Sequence, residues 1–176
     1  MFIILPEHLP SSICSDAIQI YEKNERTSYV WRDTKPLSLE KIFNRLDSIK
    51  CRHIINLVSN ATVRFFGQDT YVERAEIVKW PAGSYQPSHY DDRRESTTCA
   101  SITYLNDDFE GGETYFTDQD LIVKPKIGRT VFFDGMKFEH GVSEVKNGIR
   151  YTLALWYTND PQNYYELYSH YNGNCI

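Results

Sequence analysis

Excess positive charge is missing from this chain. Its 19 Lys and Arg stand against 24 Asp and Glu, a formal net charge of −5, with both signs scattered along the sequence. The electrostatic footprint expected of a nucleic-acid binder is therefore absent. No apolar run approaches the ~18 residues that a membrane span needs. The opening "MFIILPEHLP" has no basic stretch, only a short apolar run and a proline at position 6, so no secretory signal is expected and a soluble, cytoplasmic protein is. Four cysteines, Cys14, Cys51, Cys99 and Cys175, stand far apart with no CxxC pair, which excludes a zinc ribbon or a thioredoxin-type site built from local spacing. Reduced thiols are the expectation. No repeat and no Pro/Gly/Ser-rich linker divides the chain, so residues 1–176 read as one domain, long enough to bury about 70% of its unfolded surface without covalent staples.

What is present changes character midway. Before about residue 66, "SSICSDAIQIYEKNE" and "SLEKIFNRLDSIKCRHIINLVSN" carry apolar residues at helical spacing: Ile13, Ala17, Ile20 and Tyr21 in the first, Leu39, Ile42, Phe43, Leu46 and Ile49 in the second. Two amphipathic helices are predicted, the first capped by Ser11 or Ser12. From Tyr71 to Thr158 the chain breaks into short runs rich in Val, Ile, Thr, Tyr and Phe, punctuated by "PAG", "NDD", "EGG", "PKIG", "FDG" and "KNG". Strands are expected at Val72–Trp80, Thr97–Leu105, Glu113–Phe116, Leu121–Val123, Thr130–Phe133 and Arg150–Tyr157, too closely spaced for βαβ units. The fold class is thus mainly β, a sandwich or barrel with the helices covering an outer sheet face. Gly111 and Gly112 in "FEGGETYF" read as a bulge, a close backbone approach or a plain turn. Residues 159–176 form an aromatic tail.

Within the strand-rich part, "SHYDD" places His89 and Asp91 two apart, on one face of an extended segment. An H-x-D alone is a weak signal. A second imidazole would complete a facial set of two nitrogens and one carboxylate with open positions on a metal. His140 suits it, because of the five histidines His8, His53 and His170 lie outside the strand-rich part. Ten residues further on, "IRYTLALWY" read as a strand puts Arg150, Thr152, Ala154 and Trp156 on one face, with Ile149, Tyr151, Leu153, Leu155 and Tyr157 on a dry one. An arginine beside two small residues leaves room for a small anion, which a guanidinium grips in a planar fork. Arg150 paired to a protein carboxylate such as Glu113 is the competing account. Tyr104 in "SITYLN" is either a core aromatic or a second donor to the same anion.

The blocks "KWPAGSYQPSHYDD", "TYLNDDFEGGETYF", "VKPKIGRTVFFDG" and "EHGVSEVKNGIRYTLALWYT" occur in the order of the prolyl 4-hydroxylase type of 2-oxoglutarate- and Fe(II)-dependent dioxygenases, and residues 71–158 resemble that family. The resemblance implies a double-stranded β-helix, a cupin-like jelly roll, with Fe(II) on His89, Asp91 and His140. It also implies 2-oxoglutarate on Arg150, with Tyr104 and Thr152 beside it and Trp80 where the family commonly has Tyr. O₂ would be the second cosubstrate and ascorbate a reductant. Arg150 stands where collagen-type members usually carry Lys. The implied reaction is hydroxylation of a C–H bond, of a prolyl residue in a peptide or protein, with release of succinate and CO₂. Another residue or a free amino acid is the enzymatic alternative. The substrate groove is expected near Tyr85, Arg93 and Trp156. A catalytically idle jelly-roll binding module, or zinc on the same three ligands, would be the non-oxygenase readings. A bacterial, phage or viral source would suit a domain of this size.

Overall fold

A computed structural model describes residues 2–66, 70–91 and 97–162. In chain order it contains β1 (Phe2–Leu5), α1 (Ser11–Asn24), β2 (Lys35–Ser38), α2 (Arg45–Phe66), β3 (Tyr71–Pro81), β4 (Gln86–His89) and β5 (Thr97–Tyr104). There follow β6 (Glu110–Gly111), β7 (Thr114–Phe116), β8 (Leu121–Val123), β9 (Thr130–Phe133), β10 (His140–Val142), β11 (Val145–Asn147) and β12 (Ile149–Thr158). A six-stranded sheet runs β1-β9-β5-β12-β3-β2 and a four-stranded sheet runs β4-β10-β7-β8, every pairing antiparallel, with β11-β6 as a small ribbon. Two facing antiparallel sheets with crossed connections make the expected jelly roll.

Strand alternation decides what each face of the large sheet does. Tyr151, Leu153, Leu155 and Tyr157 of β12 join Ala75 and Ile77 of β3 in one buried cluster with Cys14, Ala17, Ile20 and Tyr21 of α1 and Cys51, Ile54, Ile55 and Val58 of α2. The helices therefore cover the outer face, as expected. Lys79 ties α1 to this sheet, its Nζ 3.0 Å from Glu22 and 3.1 Å from Glu25. The hydroxyl of Tyr151 donates to Glu22 as well. On the inner face a second cluster, with Ala100, Val131 and Phe133 from the large sheet and Phe116 and Val123 from the small one, closes the sandwich.

The helix boundaries differ from the expectation. Asn44 accepts the backbone N–H groups of Leu46 and Asp47 on its side-chain oxygen, each at 3.1 Å, so α2 starts after it and Leu39–Lys41 is a separate 3₁₀ turn. Phe43, Leu46 and Ile49 are consequently exposed, at 87%, 63% and 45%, and the buried stripe begins at Cys51. Ser11 and Ser12 are not caps either. They lie inside the first turn of α1 behind Pro10, which makes no side-chain cap hydrogen bond. The pattern also under-read the short strands β1, β2, β4 and β10, whose three or four residues carry too little alternation to stand out.

Candidate active site

β4 and β10 pair so that His89 and His140 are direct cross-strand partners. Their rings lie 4.5 Å apart at 43°. Nδ1 of His89 is 3.1 Å from the carbonyl of Pro87, and Nδ1 of His140 is 3.0 Å from that of Phe138. A carbonyl can only accept, so Nδ1 of His140 carries the proton; Nδ1 of His89 also lies 3.4 Å from the Gln86 amide nitrogen, but its shorter contact is to the carbonyl, and with the proton on Nδ1 each Nε2 presents a lone pair. Those lone pairs face Asp91: its Oδ1 is 4.0 Å from Nε2 of His89 and 3.8 Å from Nε2 of His140. The gaps are too long for hydrogen bonds and suit a cation between the three, with bonds near the ~2.1 Å of metal–nitrogen and metal–oxygen ligation. One ligand atom from each residue lies within 4.8 Å of the others. Burial pushes the His140 imidazole below its ordinary value, favouring the neutral form that binds metal, although the Asp91 carboxylate opposes this.

Asp91 is held by a neighbour that spacing rules pass over. Its N–H donates to the carbonyl of Gly135 at 2.9 Å, and a Cβ at position 135 would collide with its carboxylate. Oδ2 of Asp91 is buried without a hydrogen-bond partner among the described residues. Three acceptors with no donor among them, one of them orphaned, have the chemistry to hold a cation.

Arg150 is 1% exposed on β12. One terminal nitrogen donates to Thr114 at 3.3 Å, while Nε and Nη1 are buried with no partner among the described residues. Its guanidinium sits 4.7 Å from the ring centroid of Trp80 and 5.3 Å from that of Tyr104. The competing pairing with Glu113 is not made: that carboxylate accepts from Ser143, which holds it below its ordinary carboxyl value. A buried cation without a counter-charge is costly. The arrangement suits an anionic partner. Gly112, at φ +65°, lets the chain pass here, since a Cβ would come within 3.0 Å of Cδ of Arg150. Gly111, at φ +73°, meets the backbone of Glu144, so the "EGG" is a close approach rather than a plain turn.

One cavity of about 480 Å³ joins both features and is lined by His89, Asp91, His140, Arg150, Trp80, Thr152 and Trp156. The indole N–H of Trp80 donates to the hydroxyl of Thr152 at 3.3 Å. Tyr104 stands behind the wall: its hydroxyl accepts from the N–H of Thr114 at 2.9 Å and lies 2.7 Å from the Thr114 hydroxyl and 3.1 Å from the Val123 carbonyl. Of the expected groove residues, Trp156 lines the cavity, Tyr85 is half exposed away from it, and Arg93 lies outside the described residues. The sequence reading passed over Arg74 and Glu76, which also line it. Their signal was a spacing: Arg and Trp six apart in both β3 and β12.

Residues 75–158 match the model of the 2OG-Fe(II) oxygenase superfamily. Prolyl 3-hydroxylase 2 of Rattus norvegicus is 46% identical over 68 residues, 35% of this chain and 10% of the relative, so the match spans a tenth of that protein's length. The 2OG complex of a viral collagen prolyl hydroxylase from Paramecium Bursaria Chlorella virus-1 aligns with TM-score 0.69 at 19% identity, covering 90% of this chain and 96% of that one. A Trichoplax adhaerens prolyl hydroxylase in complex with a hypoxia inducible factor oxygen degradation domain peptide aligns with TM-score 0.73 at 18% identity, covering 90% and 83%. With the jelly roll and with His89, Asp91, His140 and Arg150 lining one cavity, residues 75–158 of this chain resemble the 2OG-Fe(II) oxygenase superfamily, and the relatives and fold neighbours it is similar to include prolyl hydroxylases.

Proposed function

We propose that this protein is a 2-oxoglutarate- and Fe(II)-dependent dioxygenase that hydroxylates a C–H bond of a prolyl residue, with release of succinate and CO₂. The observation that carries the reading is that the acceptor set His89, Asp91 and His140 and the buried Arg150, two of whose nitrogens have no partner among the described residues, line one cavity. A zinc hydrolase would have no use for the second feature. The prolyl hydroxylases among its relatives and fold neighbours, one of them holding a peptide, support a prolyl residue in a peptide or protein as substrate.

Ferrous iron bound to the three side chains would supply O₂ activation coupled to oxidative decarboxylation of the keto acid. The chain's own residues do the rest by position. His89, Asp91 and His140 approach from the β4 and β10 side, which leaves the cavity side of the site open to ligands. Arg150 takes the distal carboxylate of 2-oxoglutarate, its fork held by Thr114 and flattened against Trp80. Trp80 occupies an acceptor lone pair of the Thr152 hydroxyl, so that hydroxyl keeps its own hydrogen for a ligand in the cavity. Val78, Ile102, Phe133 and Val142 line the space between and exclude water. No side chain is asked to move a proton.

The test is an anaerobic titration of Fe(II) into metal-free protein with 2-oxoglutarate present, read by visible absorbance. A charge-transfer band that requires both components is expected. Folded protein that gives no band would refute the reading. Succinate formation with candidate peptides, ascorbate being added as reductant, then identifies the substrate.

A further inference from the structure

The inner wall of the cavity is built as an inverted pair. β3 carries Arg74 and Trp80, β12 carries Arg150 and Trp156, and their antiparallel register sets Trp80 against Arg150 and Arg74 against Trp156. Each guanidinium lies on the opposing indole, Arg150 at 4.7 Å from the Trp80 centroid and Arg74 at 3.7 Å from that of Trp156. Each also has a buried Nε without a hydrogen-bond partner. Among the described residues no carboxylate comes within ion-pair distance of either. The two arginines stand about 20 Å apart along the strands, six residues at about 3.4 Å each. Both line the same cavity.

The triad lies nearer the Arg74 end. His140 packs on Phe133 at 4.6 Å, Phe133 pairs with Ala100, and Ala100 pairs with Trp156. A cosubstrate anchored on Arg150 enters from one end of the wall, so a substrate must meet the metal from the other. What it meets there is Arg74 on its indole, and one rung inward Glu76, whose Oε1 accepts from the Tyr29 hydroxyl at 2.9 Å. Glu76 is 6% exposed and its second oxygen has no hydrogen bond among the described residues.

From this geometry we infer that Arg74, stacked on Trp156, is the substrate's carboxylate site, so that the oxidised residue presents a free α-carboxylate. The inference rests on the oxygenase reading above and narrows its substrate. A planar guanidinium held flat by an indole on a cavity wall, with its Nε unpartnered among the described residues, matches a carboxylate as a bidentate partner. An internal residue of a polypeptide, which offers only a carbonyl, leaves half of that fork unmet. Two sources share the chemistry: a free amino acid, whose ammonium would also meet Glu76, and the C-terminal residue of a peptide, whose nitrogen is already acylated.

Calorimetric titration of protein holding Zn(II) and 2-oxoglutarate, which cannot turn over, separates them. The probes are L-proline, a short peptide ending in proline, and the same peptide as its C-terminal amide. At least one free carboxylate is expected to bind about tenfold or more tighter than the amide. Arg74→Met should erase that difference while 2-oxoglutarate affinity stays unchanged. Arg74→Lys, which keeps the charge and loses the stacked fork, should reduce it, and serves if the methionine variant does not fold. Glu76→Gln weakens L-proline alone if the source is the amino acid, and leaves the peptide unaffected if it is the chain end. Equal binding of acid and amide, no binding of any probe, or a preference that survives in Arg74→Met would overturn the inference. Failure of 2-oxoglutarate to bind in the same series would instead sink the oxygenase reading and leave the acid-against-amide comparison standing.

Discussion

His89 and His140 face each other across an antiparallel strand pair, each with Nδ1 spent on the carbonyl two residues before it and Nε2 turned toward Asp91. The backbone thus selects the tautomer that can ligate before any ion arrives. Replacing one imidazole leaves two donors, too few to hold ferrous iron against water. His140→Ala is expected to reduce Fe(II)-dependent succinate release to background while circular dichroism and the melting temperature report an intact fold; full activity in the folded variant would remove His140 from the metal set.

Arg150 sets affinity against stability. Its guanidinium is fully buried with no carboxylate partner among the described residues, so a bound anion would gain a charge-assisted contact while the protein without one carries an uncompensated cation. Arg150→Ala should raise the 2-oxoglutarate requirement by well over tenfold, on the order of 2 kcal/mol. Arg150→Met, which fills the space with apolar atoms, should melt no lower than the parent protein without ligand. An unchanged 2-oxoglutarate requirement in either variant would refute the anion site.

Gly135 is expected to behave as a metal-site residue although it offers no ligand. Its missing side chain makes room for the Asp91 carboxylate. Gly135→Ala should push that carboxylate off the two imidazoles and weaken Fe(II) binding by about tenfold or more, the scale of losses from residues supporting a metal ligand. Dye-competition titration checks this, and undiminished affinity would mean the carboxylate relaxes elsewhere.

Burial pushes the thiol of Cys14 up to about 11 and those of Cys51 and Cys99 up to about 12, from an ordinary value of 9.0. The sign follows from linkage. Thiols that stay protonated in the folded state contribute stability that is complete below about pH 9 and is lost as pH rises through 11 to 12, because the unfolded chain ionises first. In a Cys175→Ser background, maleimide at pH 8 should label the folded protein slowly and the urea-unfolded protein at three thiols. The urea midpoint should fall between pH 8.5 and 10.5. Rapid labelling of the native state would contradict the burial of these side chains.

The long strands were legible because alternation over eight to eleven residues is a strong signal: β3, β5 and β12 appear within one or two residues of where the pattern puts them. The separation of β12 into a dry face and a face with Arg150, Thr152 and Trp156 was equally readable, since period two needs no tertiary knowledge. Phe43, Leu46 and Ile49 misled because helical spacing marks an apolar stripe without saying where the helix begins, and the Asn44 cap moved the start. Arg74 and Glu76 escaped notice because charged residues in a strand ordinarily face solvent. Only the closing of the small sheet over β3 turned that face inward.

By itself the sequence determined the chemistry available to this protein: an H-x-D, a second histidine and an arginine on the small-residue face of a strand, in segments whose hydrophobic periods require a β sandwich backed by helices. Such periods are local properties, written in neighbouring residues and readable without coordinates. The tertiary structure decided which of those groups meet and which stay unpaired. Hydrogen bonding between β4 and β10 brings His89 to His140, Gly135 admits Asp91, and the register of β3 on β12 leaves two arginines on two indoles without a counter-charge among the described residues. Those are relations between residues far apart in the chain, set by strand register and by which sheet face is enclosed, and no local pattern encodes them.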